Sequence, residues 1–268
     1  MRKIIYYFAA GSLFLSGLVG NIPEEDQELA LHHFMQGEFL VNQGNYALAI
    51  LEFQDALDLD PNAPTIHVSI ADAYRRLGKN KRAENHLQVA IELNPDEVEA
   101  YEILGKIYIL QKRLPQAEAA FRELTRLDPD NIDHLYALAE LARLQKQWDI
   151  AIDYYLEAYR VNSIAVKGLE QALQISLATN KFERAEEICD LLLEEEPENE
   201  KYLETLRDLA LFDNDFEKAL KTIQVLETTR GPTVELLIQK SALYEELDDS
   251  ENALKEILKA FGRDSLNS

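Results

Sequence analysis

The side chains able to bind a metal ion or act as a nucleophile are few. The 268 residues contain five histidines and one cysteine, Cys189. His33 and His67 lie 34 residues apart, with His32 beside the first, and imidazole is a common ligand of zinc. A single cysteine excludes an intramolecular disulfide, a CxxC redox pair and a cysteine-built zinc site. The two spaced histidines are therefore the main indication of metal chemistry.

Catalytic motifs are absent from the sequence. The GxSxG, HExxH, P-loop and GxGxxG patterns do not occur in it, although each marks a common way of building a nucleophile, a zinc site or a phosphate cradle. We therefore predict that the protein is not an enzyme and uses no cofactor.

The chain is strongly acidic. It has 49 Asp and Glu residues against 27 Lys and Arg, a formal net charge of −22. A surface of this sign repels the phosphates of nucleic acids and of anionic lipid headgroups. This favours a protein or peptide partner and argues against nucleic acid.

Residues 1–23 have the charge order of an export signal. Arg2 and Lys3 precede an uncharged, mostly apolar stretch over residues 4–23, and three acidic residues follow it. A weak cleavage pattern at Gly20 and a length near the minimum for a membrane span leave open a cleaved signal peptide and a retained N-terminal membrane anchor. A buried first helix is the remaining alternative. Both main interpretations predict an extracytoplasmic location, periplasmic or secreted, with membrane contact only through residues 4–23.

Alanine recurs every 34 residues in the remaining chain. The seven positions are Ala49, Ala83, Ala117, Ala151, Ala185, Ala219 and Ala253. Placing each at position 20 of a unit defines the repeats 30–63, 64–97, 98–131, 132–165, 166–199, 200–233 and 234–267, behind a short acidic linker over residues 24–29. Positions 24 and 27 are also apolar, and these spacings share one face of a helix. Proline at position 32 of four units ends that helix. Each unit is therefore predicted to be a helix-turn-helix hairpin.

The third unit shows the pattern most fully. It carries, in order, Tyr101, Leu104, Gly105, Tyr108, Ala117, Phe121 and Pro129. This order resembles the tetratricopeptide repeat (TPR) family, whose 34-residue unit reads W-x2-L-G-x2-Y, then A-x3-F and a terminal proline. The resemblance covers residues 30–267. It implies an all-α fold, a right-handed superhelix (α-solenoid) of seven helix-turn-helix repeats, with a concave groove lined by the first helix of each repeat.

Units 5 and 6 depart from this pattern. Leu173 and Arg207 occupy position 8, where Gly37 and Gly105 of units 1 and 3 let two helices cross closely. We therefore expect looser packing in these two hairpins.

The resemblance favours a packing role for the candidate metal and nucleophile residues. His33 and His67 fall at position 4, where the family keeps a large aromatic side chain between its helices, so we interpret both as packing residues. Cys189 lies in the apolar column at position 24 and is expected to be a buried, unreactive thiol. We therefore predict no metal site.

The resemblance places positions 2, 5 and 9 of each first helix on the concave face, where ten acidic residues stand against three lysines. Such a groove would attract a cationic or extended peptide, with a few apolar side chains supplying contact area. The residues predicted to bind the partner are Phe34, Glu38, Val68, Asp72, Glu102, Tyr136, Glu140, Glu170, Glu204 and Asp208. The alternative is that so acidic a chain carries acids on every solvated face.

These observations predict a non-enzymatic protein-protein interaction scaffold or adaptor outside the cytoplasmic membrane, which binds a polypeptide in its concave groove. Two alternatives stay open. One is a regulatory or substrate-recruiting repeat array for a separate enzyme, and the other is a structural spacer.

Overall fold

The structure is a computed structural model that describes residues 22–163 and 165–264. In this part of the chain the regular elements are fourteen α-helices, without a strand. They are α1 (Glu24–Asn42), α2 (Tyr46–Leu59), α3 (Pro64–Arg76), α4 (Asn80–Leu93), α5 (Val98–Leu110), α6 (Leu114–Leu127), α7 (Ile132–Leu144), α8 (Trp148–Val161), α9 (Val166–Ala178), α10 (Phe182–Glu195), α11 (Glu200–Phe212), α12 (Phe216–Arg230), α13 (Val234–Glu246) and α14 (Ser250–Asp264). The prediction of an all-α fold of helical hairpins is confirmed. The predicted export signal lies outside the described residues, apart from its last two.

Helix α1 begins directly after Pro23, ahead of the predicted first repeat. Residues 24–29, predicted to be a linker, form its first turns. The carbonyl of Pro23 accepts hydrogen bonds from the backbone N–H groups of Asp26 and Gln27, both at 3.0 Å. Acidic side chains in this first turn also complement the positive end of the helix dipole. The acidic segment therefore favours an earlier helix start.

A residue with a left-handed backbone joins the two helices in each of the seven described hairpins. These residues have φ between 57° and 78° and all fall at position 15: Gly44, Gly78, Lys112, Lys146, Asn180, Asn214 and Asp248. In the third repeat the N–H of Lys112 donates to the carbonyl of Ile109 at 3.0 Å, and the N–H of Arg113 donates to that of Tyr108 at 2.8 Å. This pair of bonds is a common C-terminal helix cap. It ends the first helix and sets the start of the second.

The chain divides into two compact units, and the first contains α1 to α6, up to Asp128. Consecutive helices of this unit pack on one another, and α3 also contacts α1 and α5. The repeat columns supply the core, in which Ala49, Phe53 and Ala56 are fully buried. The rings of Phe53 and Phe121 lie against Gly37 and Gly105, respectively. Glycine at position 8 thus permits the close helix crossing that the sequence predicts.

The second unit begins at Pro129 and contains α7 to α14, again with consecutive helices packed together. Repeat 5 keeps a buried hairpin core despite its larger residue at position 8. Leu173 and Cys189 are both buried in the same hydrophobic cluster. Cysteine stands where repeats 1 and 3 have phenylalanine. The small thiol therefore leaves volume for the leucine.

Within the two described stretches, no helix has the length and apolar character that crossing a membrane requires.

Candidate binding surface

Two of the apolar side chains predicted to contact a partner are buried instead. Phe34 is only 8% exposed, and its ring centroid lies 5.7 Å from that of Phe53 in the facing helix. Val68 is 2% exposed. The prediction is wrong for these two residues because position 5 of α1 and α3 points into the packed interior of the unit. Neither side chain presents its surface to a ligand.

Tyr136 is only partly exposed and packs against the core of the second unit. Its ring centroid lies 6.0 Å from that of Tyr155, and its hydroxyl donates to the carbonyl of Ala165 at 3.3 Å. Partial burial raises the pKa of the Tyr136 hydroxyl. The residue therefore ties α7 to the start of α9 and keeps one edge accessible.

Asp72 is held by two arginines of its own helix. An Nη atom of Arg75 lies 2.6 Å from one carboxylate oxygen, and Nε of Arg76 lies 2.7 Å from the other. Burial alone would raise the pKa of Asp72, but the hydrogen bonds from Arg76 and Arg75 outweigh it and hold the pKa below its ordinary value. The carboxylate stays ionised, with its charge locally neutralised.

Glu140 is anchored in the same way in the second unit. It accepts from Arg143 at 2.6 Å and from the hydroxyl of Tyr155 at 2.5 Å. Burial would raise the pKa of Glu140, yet these two donors lower it overall. Since Tyr155 is fully buried, its hydroxyl links a surface carboxylate to the hydrophobic core.

The other predicted acids also have partners within the chain. Glu38 accepts from Ser69 at 3.0 Å, Glu102 from Lys106 at 3.1 Å, Glu170 from Tyr202 at 2.9 Å, Glu204 from Arg230 at 2.8 Å, and Asp208 from Arg207 at 2.9 Å. Most of the lysine and arginine partners lie outside positions 2, 5 and 9. A count of charges at those three positions therefore leaves these basic side chains out. Each unit therefore presents paired charges of both signs along these helices.

Sequence reasoning missed a set of exposed apolar residues, the position-13 set. It consists of Leu110, Leu144 and Phe212, which are 73%, 57% and 64% exposed. Each is the last residue of the first helix of its repeat. The ring of Phe212 rests on that of Phe182, with centroids 4.6 Å apart. Their signal in the sequence is a large apolar residue two positions before the left-handed turn residue, where solvent exposure favours polar side chains.

The two histidines at position 4 do not pair with each other. Each contacts the residue at position 23 of its own repeat, which lies on the second helix of the hairpin. Nδ1 of His33 lies 2.8 Å from a carboxylate oxygen of Glu52, and Nδ1 of His67 lies 3.1 Å from Nδ1 of His86. Burial lowers the pKa of both His67 and His86. The predicted packing role is confirmed for His67, which is buried, whereas His33 stays partly exposed.

Cys189 is a buried, free thiol, as predicted. Burial, together with the nearby charge of Asp190, raises its pKa to about 12. The thiolate needed for nucleophilic chemistry is therefore disfavoured at neutral pH.

Comparison with known proteins supports the assignment of the repeats. One profile described as "Tetratricopeptide repeat" matches residues 68–132 and 114–165, and one described as "TPR repeat" matches residues 37–78. A tetratricopeptide repeat protein from Parabacteroides merdae is similar with a TM-score of 0.53 and 17% identity, over 88% of this chain and 93% of its own.

MamA structures are similar in fold as well. One has a TM-score of 0.53 and 20% identity, over 65% of this chain and 96% of its own. MamA from Desulfovibrio magneticus has a TM-score of 0.52 and 15% identity, over 67% and 99%. Identities this low show the fold alone. The profile matches show that residues 37–165 belong to the tetratricopeptide repeat family, and the helical hairpins on either side of them have the same fold.

Proposed function

We propose that this protein is a non-enzymatic scaffold or adaptor that binds a polypeptide partner along the first helices of its repeats. Repeat hairpins of this family serve in general as interaction modules, because stacked helices present a long surface at a regular spacing. The observation that supports the proposal most directly is the exposure of the position-13 set. Single exposed apolar side chains are common on protein surfaces, but these three recur at the same position of their repeats, which supports a surface that a partner covers.

The paired charges refine the type of partner. Asp72, Glu140 and Glu204 each sit beside an arginine, so charges of both signs neighbour one another along these helices. Surface ion pairs of this kind add little to stability. They suit the polar rim of an interface whose affinity comes from apolar contacts. We infer a polypeptide recognised through apolar side chains, with charge steering as a secondary contribution.

We further propose that the protein acts outside the cytoplasmic membrane. The support is the basic start, the uncharged residues 4–23 and the acidic residues that follow. Fractionation with mass spectrometry of the N-terminus tests this. A Met1 peptide in the membrane fraction identifies an anchor, and a first residue near Asn21 identifies a cleaved signal. Recovery from the cytosol contradicts the proposal.

A defined peptide library tests binding directly. The full-length protein, in detergent, is panned against a phage-displayed random peptide library, and enriched peptides are titrated by calorimetry. The double substitution Leu144→Ser and Phe212→Ser is expected to weaken binding at least tenfold, because it removes apolar contact area from the second unit.

The matched control replaces Ile150 and Val225 by serine. Both are partly exposed apolar residues on second helices of the same unit, and we expect affinity to be unchanged. Equal losses in both double variants, or no enrichment over an unrelated acidic protein, contradict the proposal.

A further inference from the structure

Repeat 1 brings three metal-binding side chains together on the α1–α2 hairpin. His33 lies on α1, and Glu52 and Asp55 lie one turn apart on α2. The three potential ligand atoms, one from each residue, all lie within 4.8 Å of one another. His33 and Glu52 have about a quarter to a third of their side chains exposed, 26% and 30%. The cluster is therefore partly sheltered yet open to ions from solvent.

The fold does not require polar residues here. Position 4, held by His33, is leucine in the last four repeats, and those leucines are buried: Leu135, Leu169, Leu203 and Leu237. Repeat 2 has a second histidine at position 23, but Val89 at position 26, where repeat 1 has Asp55. Repeat 1 is thus the unit in which positions 4, 23 and 26 all carry metal-ligating side chains.

The donor set selects a class of ion. Calcium and magnesium prefer all-oxygen ligands, whereas an imidazole with two carboxylates suits zinc and related first-row dications. Zinc–nitrogen and zinc–oxygen bonds of about 2.0–2.2 Å place the ligands of a tetrahedral ion roughly 3.3 Å apart. The 2.8 Å separation of His33 Nδ1 and the Glu52 oxygen is slightly shorter than this. All three ligand atoms lie within 4.8 Å of one another and Asp55 is exposed, so binding requires side-chain rotations that bring the set to this spacing, with water in the fourth position.

We propose that His33, Glu52 and Asp55 bind a divalent transition metal ion, zinc in particular, which clips α1 to α2. This goes beyond the proposed partner binding and replaces the prediction that His33 only packs. The ion binds His33 as a neutral imidazole through the Nδ1 lone pair, and a proton held between Nδ1 and Glu52 moves to Nε2 of the neutral ring or, from the charged ring, is released to water. Since metal and proton compete for that nitrogen, binding weakens as the pH falls.

Calorimetric titration of the full-length protein with zinc chloride tests the site. The protein is purified in detergent without a polyhistidine tag and treated with a chelator first. We expect one ion per chain. We also expect His33→Gln, Glu52→Gln and Asp55→Asn each to weaken binding roughly tenfold or more, since the loss of even an outer-shell partner of a metal ligand costs about 10–100-fold. Bound cobalt should give a visible absorption band in the wild type that His33→Gln abolishes.

Two control variants test whether zinc binding depends on these three side chains in particular. Asp58→Asn removes the same charge from an exposed position on the same helix and should leave zinc affinity unchanged. His86→Gln removes the histidine pair of repeat 2 and should also have no effect. Absence of saturable binding at millimolar zinc, or binding that survives His33→Gln and Asp55→Asn, overturns the proposal and leaves only a His33–Glu52 hydrogen bond.

Discussion

The Nδ1 atoms of His67 and His86 lie 3.1 Å apart across the α3–α4 hairpin. At this distance one imidazole must donate and the other accept, so the contact needs at least one neutral ring. The ring of Tyr74 lies 5.7 Å from that of His86. Protonating both imidazoles to the charged form would place two cations side by side in a partly buried site.

The first prediction is that stability falls as the pH drops below about 6.5. Burial lowers the folded-state pKa of His67 and His86 below the ordinary value of 6.5. At pH values between the folded-state and the unfolded-state pKa of these histidines, the unfolded chain binds more protons than the folded chain. The free energy of unfolding therefore rises with pH in this range. Urea denaturation at about pH 7.5 and about pH 5.5, either side of the unperturbed histidine pKa, measures the change.

His67→Leu separates this effect from acidic residues that titrate in the same range. Leucine is the residue found at position 4 of repeats 4 to 7, so the variant should fold. We expect its free energy of unfolding to change less between the two pH values than that of the wild type. An identical change would show that the histidine pair does not cause the pH dependence.

The second prediction concerns the close helix crossing in repeat 3. A Cβ atom at Gly105 would lie 2.8 Å from Cε2 and 3.1 Å from Cζ of Phe121. Overpacking of this kind costs about 1–3 kcal/mol, which outweighs the roughly 1 kcal/mol that alanine gains in helix propensity. Gly105→Ala should therefore lower the thermal midpoint.

Repeat 2 supplies the rescue for this variant. It has Ala71 and Leu87 at the positions of Gly105 and Phe121. Adding Phe121→Leu to Gly105→Ala should recover part of the lost stability. Gly262→Ala is the control, since among the described residues no side chain and no backbone atom of another helix lies within 4 Å of its Cβ position. A loss as large at Gly262 would mean that crowding is not the cause.

The third prediction concerns the left-handed turn residues. Lys112 and Lys146 have φ of 57° and 59°, a conformation that costs a non-glycine residue about 1–2 kcal/mol. Glycine occupies the same position in repeats 1 and 2. Lys112→Gly and Lys146→Gly should each stabilise the protein by roughly 0.5–1 kcal/mol, after subtracting the greater freedom of glycine in the unfolded chain. Differential scanning calorimetry measures the gain.

Asn180→Gly is the matched substitution. Asn180 has the same backbone conformation, but asparagine tolerates it better than lysine. Its gain should therefore be smaller. If all three substitutions destabilise the protein, conformational strain at position 15 does not limit stability.

The sequence predicts the helices well because their determinants are local and periodic. Fixed columns such as Ala49, Phe53 and Ala56 share one helix face, so their recurrence every 34 residues indicates both the element and its buried side. The left-handed residue at position 15 is not predicted from the sequence, because its type changes from glycine in repeats 1 and 2 to lysine, asparagine and aspartate in the later repeats. All seven described hairpins have the left-handed backbone conformation at position 15, although the side chain there varies.

The candidate site was predicted less well because exposure depends on neighbouring helices. Phe34 and Val68 share the predicted binding column but lie in the interior. The repeat pattern assigns position 5 to one face of the first helix, but it does not indicate how much of that face the neighbouring helices cover. Likewise, the pairing of Asp72 and Glu140 with arginines depends on positions 12 and 13, which the family resemblance had not marked. Charge counts along a column therefore overstated the acidity of the surface.

The last prediction concerns a partly buried ionic cluster that Lys240 and Glu256 of repeat 7 form with Glu227 of repeat 6. Lys240 occupies position 7, where Ile70, Leu104 and Leu138 are buried in other repeats. Its Nζ lies 2.7 Å from Glu227 and 3.4 Å from Glu256. The side chains of Lys240 and Glu256 are only 7% and 8% exposed. Burial disfavours the charge on Lys240, but these carboxylates outweigh it and raise its pKa.

Lys240→Met should destabilise the protein by about 3 kcal/mol, the low end of the range for breaking a buried ion pair, because it removes the buried partner of Glu256 and leaves the exposed Lys259 to compensate the charge. Among the described residues, one oxygen of Glu256 already lacks a hydrogen-bond partner, and in the variant Lys259 is the cation left beside the other oxygen, at 2.9 Å. Adding Glu256→Leu to Lys240→Met should recover most of the loss, since the pair is then replaced by apolar packing. Urea denaturation of both variants measures the coupling.

The pH dependence gives a further check on the cluster. In the wild type the pKa of Glu256 is lowered: burial raises it, but Lys259 and Lys240 outweigh burial. Its contribution to stability is therefore present above about pH 4.5 and is lost as the pH falls through the folded-state pKa. Without Lys240 that pKa rises, so protonation relieves the buried charge, and the gap between Lys240→Met and the wild type should narrow from neutral pH toward about 4.5. A gap that stays constant would mean that Lys240 stabilises repeat 7 through packing of its methylene chain and not through its charge.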